Sequence, residues 1–283
     1  MRPRRLLADA ILVGLAAWCS GCLWGLTAQV SSAGRGSALP GRTAARDRVL
    51  MVAVLDDLRP PGAQALQGHA DALLLIRRSS KGLQLLAIPR DTWLERAGCK
   101  ANGLNWRLPP KQARLALGEA LGIRIDGHVV MTLDAVARIV DGLGGTLVDI
   151  PHALHDEDRT AGWHINIPAG HRRLDGRSTV QWLRYRGEGS DLDRMRRLAA
   201  LGPRLVRALP DPVGLVGLAT ALSGTWSCDE PVTEWGSWRT AGRGPITWNG
   251  LPGRPERIGD RWVWRARTEE ARHLLGLEAR QSR

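Results

Sequence analysis

Seven consecutive apolar residues, Val49-Leu50-Met51-Val52-Ala53-Val54-Leu55, end abruptly in Asp56-Asp57. A short unbroken run of this kind predicts a strand buried on both faces. Residues 71–76 and 83–88 are largely apolar, and read as a strand pair across the turn Ser79-Ser80-Lys81-Gly82. Over residues 111–121 the apolar positions Ala113, Leu117, Ala120 and Leu121 recur at helical spacing. Residues 129–131 read as a strand, 133–143 as a helix stopped by Gly144-Gly145, and 146–150 as another strand. Helices are predicted over 178–183, 192–209 and 213–222. From Trp226 the chain reads as short strands and turns closed by a helix over 268–277. Strands alternating with helices predict a layered α/β domain. No internal repeat or break in composition divides it.

The N-terminus follows a different rule. Arg2, Arg4 and Arg5 precede an apolar stretch over residues 6–30, long enough to cross a bilayer at about 20 residues. It reads as a retained membrane anchor, with a cleavable signal peptide processed near Ala33 or Ala38 as the competing reading. Residues 31–48, rich in Gly, Ser, Ala and Arg, read as a linker. Its arginines flank the span on the far side, so charge alone gives only a weak orientation.

The 283 residues, 43% of them hydrophobic, are enough to bury a core without metal or disulfide support. A formal charge of +12, built almost entirely from arginine, points to a polyanionic partner. Nucleic acid has that charge in its favour and nothing else, because no zinc-finger spacing, basic zipper or ribonucleoprotein motif is present. Anionic lipids, phosphosugars and cell-wall polymers fit equally well. Cys19 and Cys22 fall in the apolar stretch, whereas Cys99 and Cys228 could form a disulfide in an oxidising compartment.

Candidate chemistry collects at the strand ends. Asp56-Asp57 closes the first strand, Asp71 opens the second and Arg90-Asp91 follows the third. Arg184, Arg186, Arg194 and Arg197 lie beside Tyr185, the single tyrosine of the chain, with Asp191 between them. Guanidinium groups match phosphate oxygens two at a time. Arg184 and Arg186 on an extended segment would point the same way, and Arg194 and Arg197 would share a helix face. Carboxylates can hold Mg²⁺ together with substrate phosphates, and arginines can neutralise charge as a phosphoryl group moves. For any one of these residues, ordinary surface salt bridging is the competing explanation.

The ordered motifs resemble the LytR–CpsA–Psr family of cell-wall glycopolymer ligases. They are Asp57-x-Arg59-Pro60, Ala70-Asp71, Ile88-Pro89-Arg90-Asp91-Thr92, Lys100-x-Asn102 and Gly122-Ile123-x-Ile125-Asp126-Gly127-His128. After them come Val140-Asp141-x-Leu143-Gly144-Gly145, Ile167-x-Ala169-Gly170, Leu183-Arg184-Tyr185-Arg186 and Asp191-x-x-Arg194. The resemblance implies an α/β/α sandwich around a central mixed sheet, with an apolar channel for a prenyl chain. It also implies a single-pass membrane protein: residues 1–5 cytoplasmic, 6–30 spanning, 31–48 linking, and 49–283 a catalytic domain outside the membrane. The activity implied is transfer of a glycopolymer from a polyprenyl-pyrophosphate carrier to peptidoglycan or a related acceptor, with Mg²⁺, or Mn²⁺, as cofactor.

Residue by residue, the resemblance makes Asp57 and Asp71 the metal carboxylates, with Asp56 as an alternative to Asp57. Arg90, Arg184, Arg186 and Arg194 become the pyrophosphate clamp. Lys100, Asn102, His69, Asp191 and Arg197 are further substrate contacts, and Asp91 either orients Arg90 or deprotonates the acceptor. Leu115, Leu121, Val136, Ile139 and Val140 are candidates for lining the channel, and Trp93, Trp106 and Trp182 for sugar platforms. Two positions depart from the family: His69 stands where an arginine is usual, and Leu198 where a glutamine is usual. Hydrolysis of polyprenyl pyrophosphate and membrane-tethered DNA regulation are the alternative functions, the second requiring a nucleic-acid partner that is not expected.

Overall fold

In the computed structural model, residues 47–56, 66–158, 163–185, 191–208 and 221–277 are described. The first apolar run is strand β1 (Arg48–Leu55), followed by β2 (Ala70–Ser79) and β3 (Gly82–Ala87). Short strands β4 (Trp93–Leu94) and β5 (Cys99–Lys100) lead into helices α1 (Leu104–Arg107) and α2 (Pro110–Leu121). Next come β6 (Gly127–Thr132), α3 (Leu133–Gly142), β7 (Thr146–Ile150), β8 (Leu154–Asp158), β9 (Trp163–Ile167) and β10 (Gly170–Leu174). Helices α4 (Gly176–Arg184) and α5 (Asp191–Ala208) precede β11 (Trp226–Cys228), α6 (Val232–Gly242), β12 (Ile246–Gly250), β13 (Gly253–Ile258), β14 (Arg261–Ala266) and α7 (Thr268–Leu274).

Six strands form a central mixed sheet in the order β11-β6-β1-β2-β3-β12. β1 runs parallel to β6 and antiparallel to β2, so its C-terminus and the start of β2 lie side by side at one end of the central strands. Alternation along β1 divides the core, because successive side chains point to opposite faces. Val49, Met51, Ala53 and Leu55 join one apolar cluster with Leu117 and Leu121 of α2 and Ala271 of α7. Val54 faces a second cluster with Leu133 of α3, Leu183 of α4 and Leu201 of α5. Leu50 packs in a third with Trp238 of α6. Helices therefore cover both faces of the sheet.

Local chemistry sets the helix boundaries. The Thr132 hydroxyl accepts the Ala135 amide at 3.2 Å to start α3, and Asp175 accepts the Ser178 amide at 2.7 Å to start α4. Pro110 opens α2, and Gly122 ends it at φ 62°, a left-handed conformation suited to glycine. Glu230, 5% exposed, accepts two bonds from Arg48 at 2.9 and 2.7 Å and one from the Trp238 indole at 2.7 Å. That buried carboxylate ties the C-terminal region to β1.

Several expectations change. Helix α6 occupies a stretch read as strands and turns, where the apolar residues lack helical periodicity and Trp238 supplies the anchor. The β8–β9 hairpin was not anticipated either. Cys99 and Cys228 are free thiols on different sheets, and burial pushes the Cys228 thiol up to about 11. Most of the helix expected over 213–222 lies outside the described residues. So does the expected anchor at 6–30; among the described residues no helix is long and apolar enough to cross a membrane.

Candidate active site

Asp71, near the start of β2, is the focus of the site. Arg90 Nη1 lies 3.6 Å from its Oδ1, Arg194 Nη1 3.7 Å from the same oxygen, and Arg184 Nη1 4.0 Å from Oδ2. The three arginines come from separate elements: the loop after β3, the last turn of α4 and the first turn of α5. Their side chains are 12–23% exposed and that of Asp71 is 14% exposed. These distances exceed hydrogen-bond lengths, so the contacts to Asp71 are charge contacts with room between the groups. Three guanidinium groups thus converge on Asp71 in a largely buried setting, where charges interact more strongly than in water.

Beneath them opens an apolar cleft lined by Val54, Leu73, Ile88, Leu133, Leu183 and Leu198, with Asp71 and the three arginines in the same wall. Leu198 also packs between two of the core clusters. None of the residues expected to line a channel does so. Leu121, Val136 and Val140 are buried in the core, and Leu115 is 55% exposed. Helical periodicity identifies a buried face without saying which buried residues border a void. A better signal was available in the apolar residues next to the charged ones, such as Val54, Leu73 and Leu183.

Asp91 does not serve Arg90. It pairs with Lys100 at 2.6 Å, and the Asn102 amide instead braces the Arg90 carbonyl at 3.1 Å. Arg197 also leaves its expected place. Its guanidinium donates to the Tyr185 carbonyl and lies 5.7 Å from the centre of the Tyr185 ring, and burial lowers its pKa. It thus fastens α5 to the end of α4, a positioning contact that helical spacing with Arg194 could not reveal. Arg184 is the last residue of a helix rather than part of an extended segment. Asp57 and Arg186 lie outside the described residues, and Asp191 is placed only as the first residue of α5.

Asp56 directly follows β1, and its Oδ1 accepts the His69 amide at 3.1 Å. The His69 ring stacks on Trp106 with centroids 4.2 Å apart, and its Nδ1 lies 3.8 Å from Asp56 Oδ2. Trp182 is a core residue at 5% exposure, and the Trp93 indole bonds to Glu95 at 3.2 Å. Burial, then the nearby Asp71, push the Asp56 carboxyl above its usual range. Among the described residues no three His, Cys, Asp or Glu side chains gather to hold a metal. Two crowded carboxylates nevertheless fit Mg²⁺, which commonly takes one or two protein carboxylates and completes its shell with phosphate and water.

Residues 45–201 match the LytR_cpsA_psr family. The chain is 28% identical over 135 residues to Probable cell wall biosynthesis protein LcpB of Corynebacterium glutamicum, covering 46% of this chain and 32% of that protein. It spans about one third of the length of the curated relatives it matches. Its fold is similar to that of the LytR-Csp2A-Psr enzyme from Actinomyces oris, with a TM-score of 0.61 at 23% identity over 84% of this chain and 91% of that one. TagT bound to LIIa-WTA is similar with a TM-score of 0.64 at 17% identity, over 85% and 94%. At these identities the structural likeness shows the fold alone. The family match itself covers more than half of the 283 residues and includes Asp71 and all three arginines around it, and the chain belongs to the LytR–CpsA–Psr family.

Proposed function

We propose that this protein is a phosphotransferase. It would move a glycopolymer, as its sugar phosphate, from a polyprenyl-pyrophosphate carrier to a hydroxyl of peptidoglycan or a related cell-wall acceptor. The observation that carries this reading is the set of three arginines around Asp71 above an apolar cleft. A ligand with a multiply charged head and an apolar tail satisfies both parts at once. An anchor over residues 6–30 would hold the domain where such a carrier lies. The name of LcpB and the ligand of TagT accord with a cell-wall role.

Arg90, Arg184 and Arg194 bind the pyrophosphate oxygens and hold the sugar-bearing phosphorus in line for attack. The acceptor oxygen bonds to that phosphorus, and the bond to the bridging oxygen breaks. Polyprenyl phosphate departs with the electron pair, and the arginines meet the charge collecting on it. The acceptor proton passes to the Asp91 carboxylate, which Lys100 holds at 2.6 Å. Mg²⁺, or Mn²⁺, bound by Asp56 and Asp71 would add charge neutralisation next to the phosphates.

Organic extraction and mass spectrometry of the full chain purified in detergent test the carrier. A polyprenyl phosphate or pyrophosphate should accompany wild type and be depleted in Arg90→Ala, while bulk lipids stay equal. Equal carriage by both proteins would remove the clamp assignment. Metal binding has its own readout in thermal unfolding. Saturating Mg²⁺ should stabilise wild type by about 1–2 kcal/mol, and Asp56→Asn should abolish that gain because it removes one of the crowded carboxylates. An undiminished gain in the variant would exclude Asp56 as a ligand.

A further inference from the structure

Ser227, His128 and Asp229 meet at the β11 edge of the central sheet, and the proposed transfer uses none of them. Antiparallel register sets Asp229, the residue after β11, opposite His128 of β6. The Asp229 amide donates to the His128 carbonyl at 3.3 Å, and the His128 amide donates to Asp229 Oδ1 at 2.5 Å. Ser227, two residues earlier, projects to the same face as Asp229. His128 is only 3% exposed, and its ring bridges the two side chains. Its Nε2 lies 3.1 Å from Ser227 Oγ. Its buried Nδ1 lies 3.1 Å from Asp229 Oδ2 without an aligned hydrogen bond, a looseness common in catalytic pairs before substrate arrives. Arg114 Nε of α2 lies 3.5 Å from the same carboxylate oxygen and balances its charge. Burial lowers the His128 pKa against the opposing pull of Asp229, so the ring is neutral near pH 7 and has a lone pair free to accept a proton.

The group is also within reach from outside. Ser227 is half-buried and Asp229 exposed, and β11 is the outermost strand of its sheet. The Thr132 amide donates to the Thr225 carbonyl, and Asp229 donates to His128. In the alternating antiparallel pattern the Cys228 amide therefore points away from β6, towards the outer side of the sheet.

We propose that Ser227, His128 and Asp229 form a second catalytic centre, an esterase site for small carboxylic esters. A nucleophile, a base within hydrogen-bond reach of it and a carboxylate behind the base are the parts that acyl transfer needs. Ser227 Oγ bonds to the ester carbonyl carbon while its proton passes to His128 Nε2. The carbonyl oxygen takes up negative charge, and the Cys228 amide is the donor placed to meet it. The bond to the alcohol oxygen then breaks, and the alcohol leaves with the proton from His128. Water bonds to the acyl carbon as His128 takes its proton, and the acid departs as that proton returns to Ser227. Because Ser227 is only half-buried beneath the layer formed by α2, a small acyl group fits and a bulky one does not.

Labelling of the full chain in detergent with a fluorophosphonate probe tests the centre directly, since Ser227 Oγ should bond to its phosphorus and displace fluoride. Peptide mass spectrometry should find the adduct on Ser227, and the protein should hydrolyse p-nitrophenyl acetate. Ser227→Ala and Asp229→Asn should each slow that hydrolysis by at least about 100-fold with unchanged melting temperatures. The asparagine keeps an Oδ1 acceptor for the His128 amide, so its loss of activity would not reflect loss of the backbone tie. Arg90→Ala should label and hydrolyse like wild type, which makes this centre independent of the pyrophosphate clamp. A folded wild type that leaves Ser227 unlabelled would overturn the proposal. So would wild-type hydrolysis by either Ser227→Ala or Asp229→Asn, or loss of labelling in Arg90→Ala.

Discussion

Replacing Arg90 or Arg184 with alanine should weaken binding of farnesyl pyrophosphate, in saturating Mg²⁺, by roughly 10- to 150-fold, while the melting temperature stays close to that of wild type. Each substitution removes a charged donor to phosphate, a loss of about 1.5–3 kcal/mol. The fold should survive, because Asp71 keeps two of its three cationic neighbours and neither arginine belongs to an apolar core cluster. The double variant should lose less than the sum of the two single effects, since both groups contact one carboxylate and would share one ligand. Titration calorimetry with circular-dichroism melting as the folding control would measure both quantities. Wild-type affinity in both single variants would mean that the site is misplaced.

Gly176→Ala should be strongly destabilising. A Cβ at that position would sit 2.1 Å from the Ala137 carbonyl oxygen and 2.7 Å from its Cα, both backbone atoms of α3 that cannot rotate aside. The Gly176 amide also donates to Asp141 at 2.7 Å, locking the start of α4 against α3. Overpacking of this kind costs about 3 kcal/mol, the upper part of the usual range. A domain of this size should then melt roughly 6–12 °C lower. Because α4 ends in Arg184, displacing it should weaken pyrophosphate binding as well. Gly142→Ala is the control: it lies in α3 with no atom within 4 Å of its added Cβ, and should melt like wild type. A Gly176→Ala protein that also melts like wild type would show that the two helices approach less closely than described.

Local pattern already contained the central strands β1, β2, β3 and β6, the separate strand β7 and the helices α2 to α5, because burial writes periods of two or 3.6 residues into a chain. Motif order and residue chemistry also pointed to Asp71, Arg90, Arg184 and Arg194, all of which meet in the folded protein. What spacing could not supply was the identity of each partner. Asp91 adjoins Arg90 in sequence yet pairs with Lys100, whereas Asp71 meets Arg184 and Arg194 from the far side of the chain. Arg197 turned to a backbone carbonyl, and the cleft acquired Leu198 instead of the leucines of α2. Periodicity is a property of one element. Convergence depends on strand order, register and the close approach of α3 and α4 at Gly176, and these exist only after distant segments have packed together.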